Sequence, residues 1–280
     1  MNIGIFKYLF GVKEITEDAI REFLSDEKPK RICFSRIQTH ALWKTTEGED
    51  MFTVPFGESI GALLKDKTGI TLRKSKNGKY YQKLSKEQRE KVATFINDNA
   101  ELVFLRDILD VSVALSLNFE DNREARTPIG DLEKRAKYDG DEAAVESLVT
   151  LVSDFLNSNN VYRVADCICA VPPTNTDEGN LPNKIISKLK DYNGEDISGY
   201  ISWTSKSESL KDADGAEKLE ILKNSGFLIA DGINISGKNV ILLDDLYKSG
   251  ATMQYIAMKL KEAGANKVYG LCIVKSLGNK

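Results

Sequence analysis

Asn239-Val-Ile-Leu-Leu-Asp-Asp-Leu-Tyr-Lys-Ser-Gly-Ala-Thr252 decides how the rest of the chain reads. Val240 to Leu243 is an apolar run without alternation, the habit of a strand buried on both faces in a parallel sheet. The run stops at two adjacent acids, Asp244 and Asp245, which places both at the strand's C-terminal end. Tyr247 to Thr252 follows as a short polar turn. Met253, Ile256, Ala257, Leu260 and Ala263 then recur at helical spacing, and Gly264 stands where a helix C-terminal glycine belongs. Strand, glycine-bearing turn and helix build an anion site, because free amides converge there and the helix dipole favours negative charge. Ser249 and Thr252 add hydroxyl donors, and Gly250 lets a ligand approach the backbone. Carboxylates accept hydrogen bonds, so the two acids suit sugar hydroxyls or water on a metal. A phosphate site beside a hydroxyl site describes a sugar phosphate. The plainer alternative is a buried strand that ends in solvated acids. No Gly-x-x-x-x-Gly-Lys-Ser/Thr motif occurs in the chain.

Leu242-Leu-Asp-Asp-Leu-Tyr-Lys-Ser-Gly-Ala-Thr252 resembles the 5-phosphoribosyl-1-pyrophosphate (PRPP) motif of the type I phosphoribosyltransferases, nearest the competence-protein-F-like branch. Thr127-Pro-Ile-Gly130 and Ala136-Lys-Tyr138 carry the same resemblance, which spans about residues 127–280. The resemblance implies that Asp244 and Asp245 hold the ribose hydroxyls. It implies that Tyr247, Lys248, Ser249, Gly250, Ala251 and Thr252 grip the 5′-phosphate. Lys248 departs from the family's Thr or Ser, so a hydroxyl is lost there and a cation gained. The loop after the strand Val164–Val171 would bind pyrophosphate through Pro172, Pro173 and Thr174. Such a loop often needs unusual peptide geometry, so one of the two X-Pro bonds is expected to be cis. Thr204 to Gly215 is polar, aperiodic and long for a connection. By resemblance it is a mobile catalytic loop whose Lys206 or Lys211 reaches the leaving pyrophosphate; ordinary solvated lysines are the plainer reading. Magnesium is the implied cofactor, held through PRPP and water near Asp244 and Asp245 and without a direct protein ligand set. The implied reaction moves phosphoribosyl from PRPP to a nitrogen nucleophile and releases pyrophosphate. Such chemistry asks mainly for positioning and electrostatics. The alternative is a weak or inactive PRPP-sensing regulator, or a defence or competence effector.

Composition bounds the remainder. With 280 residues, a net charge of −3 and an ordinary apolar fraction, one large or two modest soluble domains are expected. No global charge argues for nucleic acid or membrane. Cys33, Cys167, Cys169 and Cys272 lack metal-ligand spacing and read as buried free thiols in a reducing compartment. No signal peptide or membrane-length run is read, so a cytoplasmic, bacterial-type protein of nucleotide metabolism is expected. His40 is the only histidine and reads as structural.

The fold expected is α/β. A Rossmann-like, mostly parallel sheet with helices on both faces occupies residues 126–280, after a smaller α+β domain over 1–125. The boundary falls in the polar, Pro-terminated stretch Asn118 to Pro128. Upstream, Thr16 opens a capped helix and Ser85-Lys-Glu-Gln88 is a capping box. Leu102 to Leu117 reads as an internally packed helix. Asn77-Gly78 predicts a hairpin with a type I′ turn. Residues 65–91 hold ten Lys/Arg against three Asp/Glu, with Tyr80 and Tyr81 interleaved. Basic residues among aromatics suit nucleic acid, whereas solvated lysines protecting a sheet edge are the plainer reading. Expected partners are PRPP, a nucleobase or other amine acceptor, a second copy in a homodimer and, through residues 65–91, a nucleic acid or protein.

Overall fold

The computed structural model describes residues 14–36, 41–121, 123–173, 180–205 and 213–277. In chain order the elements are α1 (Glu17–Ser25), β1 (Arg31–Cys33), β2 (Leu42–Lys44), β3 (Asp50–Val54), α2 (Glu58–Thr68), β4 (Arg73–Lys74), β5 (Tyr80–Leu84), α3 (Lys86–Asp98), β6 (Val103–Leu105) and β7 (Val111–Leu117). There follow α4 (Pro128–Tyr138), α5 (Glu142–Ser158), α6 (Asn160–Arg163), β8 (Cys167–Ala170), α7 (Leu181–Lys188), β9 (Glu195–Asp196), β10 (Ile201–Trp203), α8 (Gly215–Ser225), β11 (Phe227–Ile229), β12 (Asn239–Tyr247), α9 (Ala251–Glu262) and β13 (Lys267–Lys275).

One seven-stranded sheet organises the molecule, in the order β1-β6-β7-β13-β12-β8-β9. From β7 to β9 every neighbouring pair is parallel; β6 is antiparallel to both β7 and β1. The apolar run in β12 is explained by its central place. Ile241 and Leu243 pack into one core with α2, α3, α4, α5 and α7, while Val240 and Leu242 pack into a second core with α1, α8 and α9. All four are fully buried. Each contributes roughly 1.5–3 kcal/mol by leaving water, an upper figure because the unfolded chain is already partly collapsed. The chain is thus α/β, with helices on both faces of a mostly parallel sheet.

The expected boundary near residue 125 cuts through this sheet, because β1, β6 and β7 precede it and β7 pairs directly with β13. An α+β unit does exist upstream, as a four-stranded antiparallel sheet, β2-β3-β5-β4, with α2 and α3. It is inserted between β1 and β6 rather than standing before the sheet. The helix expected over Leu102–Leu117 is instead the β6–β7 hairpin. Asp107 and Asp110 lie in its turn, where Asp107 accepts bonds from the Leu109 amide and the Ser112 hydroxyl. All seven residues of β7 are buried, as are Val240 to Leu243 of β12.

Other local expectations resolve similarly. Ser85 and Gln88 form the reciprocal capping box, and Thr16 caps α1. The Asn77-Gly78 hairpin is present, but only Gly78 takes positive φ, at 84°. Its turn is closed by the Gly78 amide on the Ser75 carbonyl, so a turn plus a single left-handed glycine replaces the mirror-image turn. Apart from the central sheet, β10 and β11 form an antiparallel pair of their own. The four cysteines are free and buried. No helix among the described residues is long and apolar enough to cross a membrane. His40 lies outside the described residues.

Candidate functional site

The site is built where β12 outruns its neighbour. Pairing between β8 and β12 ends at Ala170 opposite Leu243, and the Val171 amide then bonds the Leu243 carbonyl. Asp244 and Asp245 extend past that point, still within β12, which continues to Tyr247 beside β13. The strand therefore does not stop at the acids. Residues 248–250 turn, and α9 begins at Ala251.

The carboxylates differ in surroundings. The Asp244 carboxyl accepts a bond from the Asp245 amide at 2.9 Å. It keeps partial solvent access but is packed closely by protein, and this burial, then the charge of Asp245, pushes its pKa well above the usual carboxylate range. Asp245 faces α4 and its Oδ2 lies 2.6 Å from Lys137 Nζ, both side chains being mostly buried. Burial works against the Lys137 ammonium, but the Asp245 charge and hydrogen bond outweigh it and hold the pKa above its ordinary value. One helical turn earlier, buried Glu133 lies 3.7 Å from Arg126. Burial, then the Asp245 charge, raises its pKa to about 6. Thr127 fixes α4 by accepting from the Gly130 amide, with Pro128 in the first turn. The spacing of Glu133 and Lys137 then puts both on the helix face that meets β12.

The turn is shaped by Tyr247 and Gly250. Tyr247 points inward, fully packed, and its hydroxyl donates to Asp107 Oδ2 at 3.2 Å. Only its backbone is presented to the site. Gly250 has φ +80° and lies against that ring; a Cβ would stand 2.1 Å from the Tyr247 hydroxyl oxygen. Glycine is required twice over, by backbone conformation and by space. Gly250 is the N-cap of α9, and no side chain caps the helix there. Ser249 Oγ accepts weakly from the Ala251 amide at 3.4 Å. Lys248 is exposed; Ser249 and Thr252 are partly so, and Ala251 is buried. Gln254, buried one turn into α9, donates to the Gly250 carbonyl and accepts from the Ile108 amide, which pins the helix start to the β6–β7 turn.

Val171 to Pro173 lies beside this turn. The Asn180 side chain donates to the Val171 carbonyl, and Trp203 Nε1 donates to the Pro172 carbonyl at 3.0 Å. Pro172 is buried and Pro173 partly so. No described peptide is cis, so both X-Pro bonds are trans, contrary to expectation. These two side-chain bonds hold the loop where an unusual peptide was expected to shape it. Thr174, Lys206 and Lys211 lie outside the described residues.

Three groups near the site were not singled out from sequence. Lys137 is joined to Asp245 across more than 100 positions and Glu133 lies one turn before it on α4; only their four-residue spacing next to a capped helix start hinted at a shared face. Lys275 ends β13 opposite Tyr247 and is 1% exposed. Burial, then repulsion from Arg31, pushes its ammonium down to about 7. No local pattern distinguishes it from any strand-end lysine.

Chemically, the arrangement offers two acceptor carboxylates, a bend of backbone amides and an uncapped helix start on one edge. Among the described residues, no group of three or more His, Cys, Asp or Glu is placed to hold a metal ion.

No family model matches the chain. Over 44 residues it is 46% identical to an adenine phosphoribosyltransferase of Corynebacterium kroppenstedtii, a match covering 16% of this chain and 24% of that relative. Among solved structures, a hypoxanthine phosphoribosyltransferase from Staphylococcus aureus is similar at 12% identity and a TM-score of 0.31, with 47% of this chain and 62% of that one covered. A purine phosphoribosyltransferase from Pyrococcus horikoshii is similar at 16% identity and a TM-score of 0.31, over 47% of this chain and 72% of that one. A hypoxanthine phosphoribosyltransferase from Trypanosoma cruzi is similar at 12% identity and 0.30, over 52% and 68%. The chain spans about a quarter of the curated relative and less than two thirds of the first of these structures.

Proposed function

We propose that the C-terminal edge of β12 and β8 binds PRPP, and that the chain is a phosphoribosyltransferase of the type I kind acting on a nitrogen nucleophile. The observation that carries this reading is the order of groups along β12: two carboxylates at the strand edge, then a glycine bend, then the uncapped start of α9. The local match to an adenine phosphoribosyltransferase supports the same reading. Asp244 and Asp245 accept from the ribose hydroxyls. Amides of 248–252, with the hydroxyls of Ser249 and Thr252, hold the 5′-phosphate. Amides beside Pro172, Pro173 and Thr174 face the pyrophosphate, with Lys206 or Lys211 as its cations.

In the reaction, the bond from C1′ to the pyrophosphate oxygen breaks as one from the nucleophile's nitrogen to C1′ forms. The protein's part is to fix the two ends of PRPP so that the cationic ribose lies over the carboxylates. Hard oxygen donors at Asp244 and Asp245 fit magnesium held through water and substrate oxygens, and such an ion supplies charge neutralisation at the leaving group. The Lys137 contact with Asp245 favours a second reading, a PRPP-sensing regulator, since it occupies one ribose acceptor. The two are separated by pyrophosphate release from PRPP and magnesium with a panel of nucleobases. Release with one base supports the transferase; saturable PRPP binding with no release supports the sensor.

A further inference from the structure

The inserted four-stranded sheet has one face committed to the core and one turned outward. Phe52, Val54 and Leu84 point inward among the side chains of α2 and α3, with Tyr80 packed beside them. Strand pleating sends the alternate residues out. Pairing sets Trp43 opposite Met51, Met51 opposite Lys83, Thr53 opposite Tyr81, and Tyr81 opposite Arg73. The outward face is therefore Trp43, Met51, Thr53, Lys83, Tyr81 and Arg73. Trp43 is 43% exposed, unusual for so large a ring, and its Nε1 donates to Thr53 Oγ1, which anchors the indole to the sheet. An open groove of about 450 Å³ follows β5 beside Arg73, lined by Tyr81, Gln82, Lys83, Leu84 and Ser85. Lys83 pairs with Glu49, whereas Arg73 has no carboxylate within ion-pair distance among the described residues. Lys74, Lys76 and Lys79 stand exposed around the hairpin tip.

We infer that this sheet face is a binding site for single-stranded nucleic acid, independent of the PRPP site. The charge complements a polyanion, and residues 65–91 carry the excess of ten cations over three acids. The aromatic rings choose among polyanions: stacking needs unpaired bases, and a duplex buries its base faces. Trp43 and Tyr81 stand two strands and two residues apart, ~12 Å by strand spacing, a span that takes two or three nucleotides. Phosphates lie along the groove toward Arg73 and Lys83.

The test is fluorescence anisotropy of labelled dT12 and rU12 with the full chain, at several salt concentrations. Binding is expected with a log–log salt slope of about −2 for three neutralised phosphates. Trp43→Ala weakens it roughly 5- to 100-fold, the scale of losing one stacked base, while Trp43→Phe stays within a few-fold of the parent. Arg73→Gln flattens the slope by about 0.7. Preference between dT12 and rU12 tells which sugar is accepted. The inference is overturned by absence of binding up to roughly 100 µM, the weak end of non-specific affinity. It is also overturned if Trp43→Ala binds like the parent, if a 12-base-pair duplex binds equally well, or if Trp43→Ala dissociates a dimer in sedimentation, which would make a second copy the occupant. The substituted side chains are solvent-facing, and unchanged circular dichroism serves as the folding control.

Discussion

Glu133 is a carboxyl whose environment is out of keeping with its chemistry. Its folded pKa of about 6 exceeds the ordinary 4.5, so the fold favours the protonated carboxyl. The stabilising contribution is present below the unfolded value and is lost as pH rises through 6. At pH 8 the buried charge costs about 2 kcal/mol. Glu133→Gln is therefore expected to raise unfolding free energy by up to about 2 kcal/mol at pH 8 and to change little at pH 4. Urea melts at both values check this; an equal effect at both would place the cause in packing instead. At this scale the placement of Asp244, Asp245 and Gly250 between β12 and α9 was readable because it follows from neighbours in the chain. The pairing of Lys137 was not, since its partner Asp245 lies on a distant strand, and the burial of Glu133 comes from packing that no local pattern encodes. Tyr247 belongs to the motif's phosphate-gripping stretch, yet its side chain serves the core through Asp107.

Among the elements, the bend between β12 and α9 is constrained by both backbone conformation and space. Gly250→Ala forces a Cβ into left-handed backbone and against Tyr247, and a loss of about 1–3 kcal/mol is expected in denaturant melts. A loss below about 0.5 kcal/mol would show that the bend relaxes freely. Elements with local signals were legible: the caps at Thr16 and Ser85 and the apolar run of β12. The stretch 102–117 failed because Asp107 and Asp110 imitate the polar face of a helix. Their carboxylates instead accept from the Leu109 and Val268 amides, the first bond closing the β6–β7 turn and the second tying it to β13.

For the whole molecule, the consequence of the sheet order is that the chain cannot be divided at residue 125. Removing residues 1–125 would strip β7 from β13 and expose Leu271 and Ile273, now fully buried, on a long hydrophobic edge. A 126–280 fragment is expected to aggregate or to lack a cooperative thermal transition, by calorimetry. A sharp transition in that fragment would mean that the C-terminal part is self-sufficient. The Asn118–Pro128 stretch looked like a linker because its turn chemistry is that of one. Only long-range pairing of β7 with β13, which no local pattern encodes, reveals it as a loop within one sheet. The α/β class was readable from alternating strands and helices after residue 127, whereas the insertion of the α+β unit was not.

The central claim is that the paired acids of β12 hold the pentose of PRPP. Isothermal titration calorimetry with PRPP and magnesium, on the parent chain and on an Asp244→Asn, Asp245→Asn double variant, tests it most directly. The account predicts saturable binding that falls roughly 100-fold or more in the variant, the scale of losing two charge-assisted acceptors, with circular dichroism unchanged. Equal affinity in the two proteins, or no binding to the parent, would contradict it.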